Sequence, residues 1–216
     1  MSKVVGIIDE PVKPGAADNL DLNIHSKSLI DFIKATSTPI TIGIQGEWGS
    51  GKTSLLNSIY HHFENEGGFK QIWINSWESS LLSTPEESLL KIINEIIEEL
   101  LAADQSKSKA ETIKKSAATV FKGALRIGAT AALGNKAGDV AEELLSTKEN
   151  SIKALRNQLT DLVLEIESRK TNPYKNVIIY VDDLDRIEPK NAVAVLELLK
   201  NIFSVPNCIF ILAIDY

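Results

Sequence analysis

The segment Gly46-Glu47-Trp48-Gly49-Ser50-Gly51-Lys52-Thr53 constrains this chain more than any other, because it fits G-x-x-x-x-G-K-[ST] at every fixed position. That pattern has a function only between a strand and a helix. Ile40 to Gln45 before it alternates and is β-branched, which predicts a strand. After it, Leu55, Leu56, Ile59, Tyr60 and Phe63 share one face of a helix that starts near Lys52 and stops at Gly67-Gly68. Glycines let the backbone curl so that successive N–H groups face inward as an anion nest. The following helix adds its positive end. Residues Gly46 to Ser54 are therefore expected to cradle the phosphates of a nucleoside triphosphate, ATP with Mg²⁺. Lys52 would reach the β- and γ-phosphates, and the Thr53 hydroxyl would ligate the metal.

Such a loop needs an acid at the tip of a neighbouring strand. Val177 to Val181 is a continuous apolar run, the mark of a strand buried on both faces, and it ends on Asp182 and Asp183. Asp182 is assigned to Mg²⁺ through water. Asp183 is the better candidate to orient or deprotonate the attacking water, although the sequence allows the two roles to be exchanged. Arg186 could act as an arginine finger or pair with an acid such as Asp185 and fix the loop; the second role is preferred. Asp215, at the end of a last strand Ile209 to Ile214, is placed to face the γ-phosphate.

The rest of the chain alternates strands and helices. Leu22 to Ile33 reads as a helix and Gln71 to Asn75 as a second strand. Thr84-Pro85-Glu86-Glu87 opens a helix whose apolar face holds Leu89, Ile93, Ile96, Ile97, Leu100 and Leu101. Ile152 to Ser168 and Pro189 to Phe203 predict two more helices. Residues 104–150 are rich in Ala, Lys and Gly without strong periodicity, and are expected to form a partly helical insertion between the phosphate loop and Asp182. The fold class expected is α/β, a parallel sheet with helices on both faces, within one domain spanning 1–216.

Charge and cysteine usage exclude several function classes. A net charge of -6 argues against a surface that coats nucleic acid. The single cysteine, Cys208, forbids an internal disulfide and lies in an apolar run, where a small buried hydrophobe is expected rather than a reactive thiol. His25, His61 and His62 show no metal spacing. The N-terminus has too short an apolar stretch for a secretory signal, so a cytoplasmic protein is expected.

Four segments together resemble the KAP family of P-loop NTPases. They are the tryptophan-bearing loop Glu47 to Ser54, the second strand Ile72-Trp73-Ile74-Asn75-Ser76-Trp77, the segment Asp182-Asp183-Leu184-Asp185-Arg186, and Ile211 to Asp215. The resemblance covers about residues 20–80 and 150–216. It implies an ATPase of the additional-strand class, in which the strand ending at Asp215 lies between the strands of the phosphate loop and of Asp182. It also implies kinship with regulatory NTPases, some tied to membranes or to bacterial defence against phage. ATP over GTP rests on this resemblance and on the lack of an Asn-Lys-x-Asp guanine motif. Trp48 is expected to wedge the loop against the sheet rather than cover the nucleotide, and Trp77 to pack under the insertion; a contact of Asn75 with the site through water is the less favoured reading.

Two departures from the family stand out. Many relatives carry transmembrane hairpins where this chain has residues 113–133, but Lys122 and Arg126 sit mid-segment here, at a cost of roughly 2.5–3.5 kcal/mol each in a bilayer. Close packing within the protein or between subunits is preferred over an interfacial amphipathic helix with Lys115, Lys122 and Arg126 on one side, which would touch a membrane peripherally. The chain also ends after four strands, so the family's fifth strand and helical lid are not in it. A C-terminally incomplete domain is expected, with a homo-oligomer or protein partner reached through the insertion or the missing lid.

Overall fold

A computed structural model describes residues 22–80, 85–103, 109–131, 138–168, 173–184, 196–197 and 199–214, the side chains of 79–80, 85–90, 121–131 and 138–149 excepted. Its elements are α1 (Leu22–Ala35), β1 (Ile40–Gln45), α2 (Lys52–Glu66), β2 (Phe69–Asn75), α3 (Ser76–Ser80), α4 (Pro85–Ala103), α5 (Ala110–Ala131), α6 (Gly138–Glu167), β3 (Asn176–Asp182) and β4 (Cys208–Ile214). The four strands form one parallel sheet in the order β1-β4-β3-β2. β4 thus lies between the strand that leads into the phosphate loop and the strand that ends on Asp182, as the family resemblance implies.

Alternation along the strands divides the sheet into two apolar faces. Ile178 and Tyr180 of β3, with Ile209, Ile211 and Ala213 of β4, pack against Leu56, Ile59 and Phe63 of α2 and Ile30 and Ile33 of α1. Val177, Ile179 and Val181, with Phe210 and Leu212, face the opposite way and meet α4, α5 and α6. Both faces of β3 and β4 are therefore covered, which is why both sequences read as unbroken apolar runs. β1 differs. Ile40, Ile42 and Ile44 turn toward α1 and α2, while Thr41, Gly43 and Gln45 are exposed.

An aromatic stack stiffens the α2 face. Trp73 and Tyr180 lie parallel at 5.4 Å, and the buried Tyr180 hydroxyl donates to Gln71 Oε1 at 2.7 Å. Burial, with Tyr60 beside it, holds the Tyr180 phenol neutral far above its ordinary pKa. At the N-terminal ends of the strands Asn207 adopts a left-handed backbone (φ 63°), a conformation asparagine tolerates. Its N–H donates to Thr38 Oγ1 and its Nδ2 to Glu167 Oε2, joining the start of β1 to α6. Burial pushes the Cys208 thiol up to about 12, so the cysteine is an inert core residue, as expected.

The insertion is more regular than its composition suggests. α6 runs unbroken from Gly138 to Glu167, so the boundary expected at residue 150 falls inside a helix. Ala141, Glu142, Glu143, Leu144 and Leu145 are strong helix formers and carry the helix upstream of Ile152. In α5, Ile113, Ala117 and Val120 recur at i, i+4, i+7 and are buried in the same core as Ile96, Leu100, Leu155 and Leu162. The alanine masks this stripe on a hydropathy reading, which is why no periodicity was expected there. The Lys114–Glu98 ion pair at 2.8 Å lies beside it. Packing within the protein is thus what the described half of α5 does. No helix among the described residues is long and apolar enough to cross a membrane. The side chains of Lys122 and Arg126 lie outside the described residues.

This packing makes α5 part of the core rather than an appendage. Ile113→Ala is expected to lower unfolding free energy by about 2–5 kcal/mol in urea titrations, the cost of a cavity at a fully buried aliphatic site. A change near zero would mean that the insertion melts independently of the sheet.

Candidate functional site

All four strands are parallel, so their C-terminal ends gather at one edge of the sheet. One row of paired residues, Gly43–Leu212–Val181–Ile74, crosses all four strands just below that edge. Above it, Asn75 pairs with Asp182 and Gln45 with Ile214. The loop from Gly46 therefore leaves β1 at nearly the same height as Asp182 leaves β3, with β4 between them.

The loop is shaped to hold an anion. Gly51 takes φ 89°, a left-handed conformation open to glycine, and serves as the N-cap of α2 without any side-chain cap bond. The N-terminal end of α2 thus meets no competing side-chain acceptor at its cap. A Cβ on Gly46 would lie 2.5 Å from Ser50 Oγ, so a larger residue there would have to displace the Ser50 side chain. The Ser50 N–H donates to the Glu47 carbonyl at 3.1 Å, and the Gly46 N–H to the Ile214 carbonyl at 3.3 Å, which ties the loop to the end of β4. Lys52 Nζ folds back into the loop and donates to the Gly46 carbonyl at 2.8 Å and to that of Glu47 at 3.1 Å. The ammonium is thereby stored where phosphate oxygens could replace the two carbonyls. Thr53 and Ser54 follow in the first turn of α2, half-buried.

The acids sit across β4 from the loop. Asp182 is 4% exposed. By alternation from Ile178 and Tyr180 it points to the α2 side of the sheet, the side of the loop and of Thr53. Its Oδ1 accepts the Asp183 N–H at 2.9 Å. Asp183 itself has φ 57°. The next residue, Leu184, is buried in the opposite core with Val181. Continued extension would have sent Leu184 to the same side as Asp182, so the left-handed turn at Asp183 is what reverses the chain. A hydroxyl, one buried carboxylate and phosphate oxygens suit Mg²⁺, which keeps several waters and needs few protein ligands. Among the described residues no trio of His, Cys, Asp or Glu gathers into a metal cage.

Other expectations fare differently. Trp48 is 62% exposed, so it does not wedge the loop against the sheet; the loop is already closed by its own backbone bonds. Trp77 is 40% exposed and lies on α3, a short helix the sequence reading missed. The overlooked signal was Asn75, whose Oδ1 accepts the N–H groups of Trp77 and Glu78 at 3.0 and 3.2 Å and caps that helix. His61 and His62 pair with Glu64 and Glu66 on the surface of α2, and His25 is exposed. Asp185, Arg186, Pro189 and Asp215 lie outside the described residues.

The profile of the KAP family P-loop domain matches residues 23–216. The chain belongs to the KAP family. A curated relative, the Phage T7 exclusion protein of Escherichia coli (strain K12), is 24% identical over 216 residues, which cover 91% of this chain and 28% of that protein. This KAP domain therefore spans a little over a quarter of that relative's length.

The turn at Asp183 sets a backbone prediction. Asparagine tolerates a left-handed backbone and alanine does not, so Asp183→Ala is expected to be less stable than Asp183→Asn by about 1 kcal/mol. Thermal or urea unfolding of the two variants side by side checks this. Equal stabilities would mean that the turn relaxes without cost.

Proposed function

We propose that this domain binds ATP with Mg²⁺ and hydrolyses it as a regulatory switch. The observation that carries the reading is the loop of Gly46 to Thr53, with its stored Lys52, on the same side of the sheet as the buried Asp182. Lys52 would leave the Gly46 and Glu47 carbonyls for the β- and γ-phosphates. Backbone N–H groups from Glu47 to Ser54 would hold the remaining phosphate oxygens. Thr53 and Asp182 would hold Mg²⁺, which when bound neutralises charge on the phosphate oxygens. Asp183 would orient the attacking water and accept its proton. Exchange of Lys52 between carbonyls and phosphates gives the loop two states that nucleotide selects between. The Phage T7 exclusion relative suggests a setting in defence against phage, with the switch acting inside a larger protein or with a partner.

Steady-state turnover with Mg²⁺ and calorimetric ATP binding test this reading. Lys52→Ala is expected to abolish binding. Asp183→Asn is expected to keep binding within a few-fold and to lower turnover by about 10²–10⁴-fold, the usual contribution of a positioned base. Wild-type protein that binds ATP and never turns it over would replace the switch with a non-hydrolysing nucleotide-binding module.

A further inference from the structure

The residue opposite Asp182 on β2 carries an amide that is only half used. Asn75 and Asp182 are paired in register, and their neighbours Trp73 and Tyr180 stack on the α2 side, so Asn75 and Asp182 share that face. The two N–H groups that donate to Asn75 Oδ1 fix which end of the amide is oxygen. Nδ2 has no hydrogen bond among the described residues. The side chain is half-buried and lines a cavity of about 480 Å³ with Trp73, Glu78, Lys91 and Glu95. A two-proton donor therefore stands one strand away from a pair of carboxylates, at their height, held by the helix it caps.

We propose that Asn75 is a positioning residue for hydrolysis: Oδ1 anchors it to α3 while Nδ2 donates to the Asp182–Asp183 carboxylates when nucleotide is bound. This rests on the hydrolytic reading above. A hydrogen bond from an amide N–H fixes the direction of a carboxylate, which is what a group that aims water requires. The same side chain ties that alignment to α3, and through α3 to α4, against which α3 packs.

Serine and aspartate replace asparagine well as helix caps, and neither carries an amide N–H. Asn75→Ser and Asn75→Asp thus separate the two halves of the side chain. In Asn75→Ser the unfolding midpoint without nucleotide is expected to stay close to wild type. In Asn75→Ser the Kd for Mg·ATP is expected to stay within about twofold, while turnover falls by about 10- to 100-fold, the loss of one hydrogen bond to a charged group. Asn75→Asp places a like charge opposite Asp182 and should lower turnover at least as far. Unchanged turnover in Asn75→Ser would overturn the proposal. So would a loss of turnover in proportion to a lowered midpoint in both variants, which would make Asn75 a cap alone. A wild-type protein that binds Mg·ATP without turnover would overturn the hydrolytic reading itself, and this inference with it.

Discussion

The pairing of β4 with β1 on one side and β3 on the other is the constraint on which the site depends. It brings together a loop near residue 50 and acids near residue 182, with the whole insertion between them in sequence. Parallel pairing puts every C-terminal strand end at the same edge, so the register alone sets the relative height of Gly46 and Asp182. β4 can take the central place because neither of its faces needs water: all its residues except Ile214 are buried. A polar side chain in the middle of that strand would cost a desolvation term and loosen the spacing across which the two halves of the site face each other.

Within that frame the local chemistry consists of polar groups kept in readiness. Lys52 is satisfied by two backbone carbonyls of the loop that carries it. The Asp182 carboxylate is nearly buried yet accepts the next residue's N–H, which limits the cost of keeping it there. Not every group is provided for. Ser76 Oγ is buried at the start of α3, beside the Asn75–Asp182 pair, without a hydrogen-bond partner among the described residues. Polar residues left unsatisfied at the end of a strand are where a fold gives up stability near its working surface.

Much of this was legible in the sequence, for identifiable reasons. The glycines at 46, 49 and 51 and the apolar runs at 177–181 and 209–214 have few structural meanings, so the strand–loop–helix unit and the central strands could be read directly. α3 could not, since five residues are too short to show a period and only the Asn75 cap announces them. The α5 stripe was hidden because its middle member is Ala117, apolar enough to pack yet common on any face. The α6 start was missed because acidic helix formers near Gly138 carry no obvious apolar face. Trp48 was misplaced by a general rule that aromatics seek cover; backbone bonds had already closed its loop, and the ring was left outside.

The turn at Asp183 joins these two levels. Asp182 belongs to the α2 face and Leu184 to the core of α4, α5 and α6, and the backbone passes from one to the other at a single left-handed residue. That residue is also the candidate to aim the attacking water. Any change in how its carboxylate is held acts on a backbone that already sits in a sparsely populated conformation. Leu184 is packed with Val181 and with the helices of the insertion face, so a shift at Asp183 meets that core at once instead of dissipating in solvent. Asn75 approaches the same point from β2 and is fixed to α3. The insertion helices and α3 thus converge on one strained residue at the sheet edge, and a nucleotide bound at the α2 face as proposed would meet there elements from the other side of the sheet.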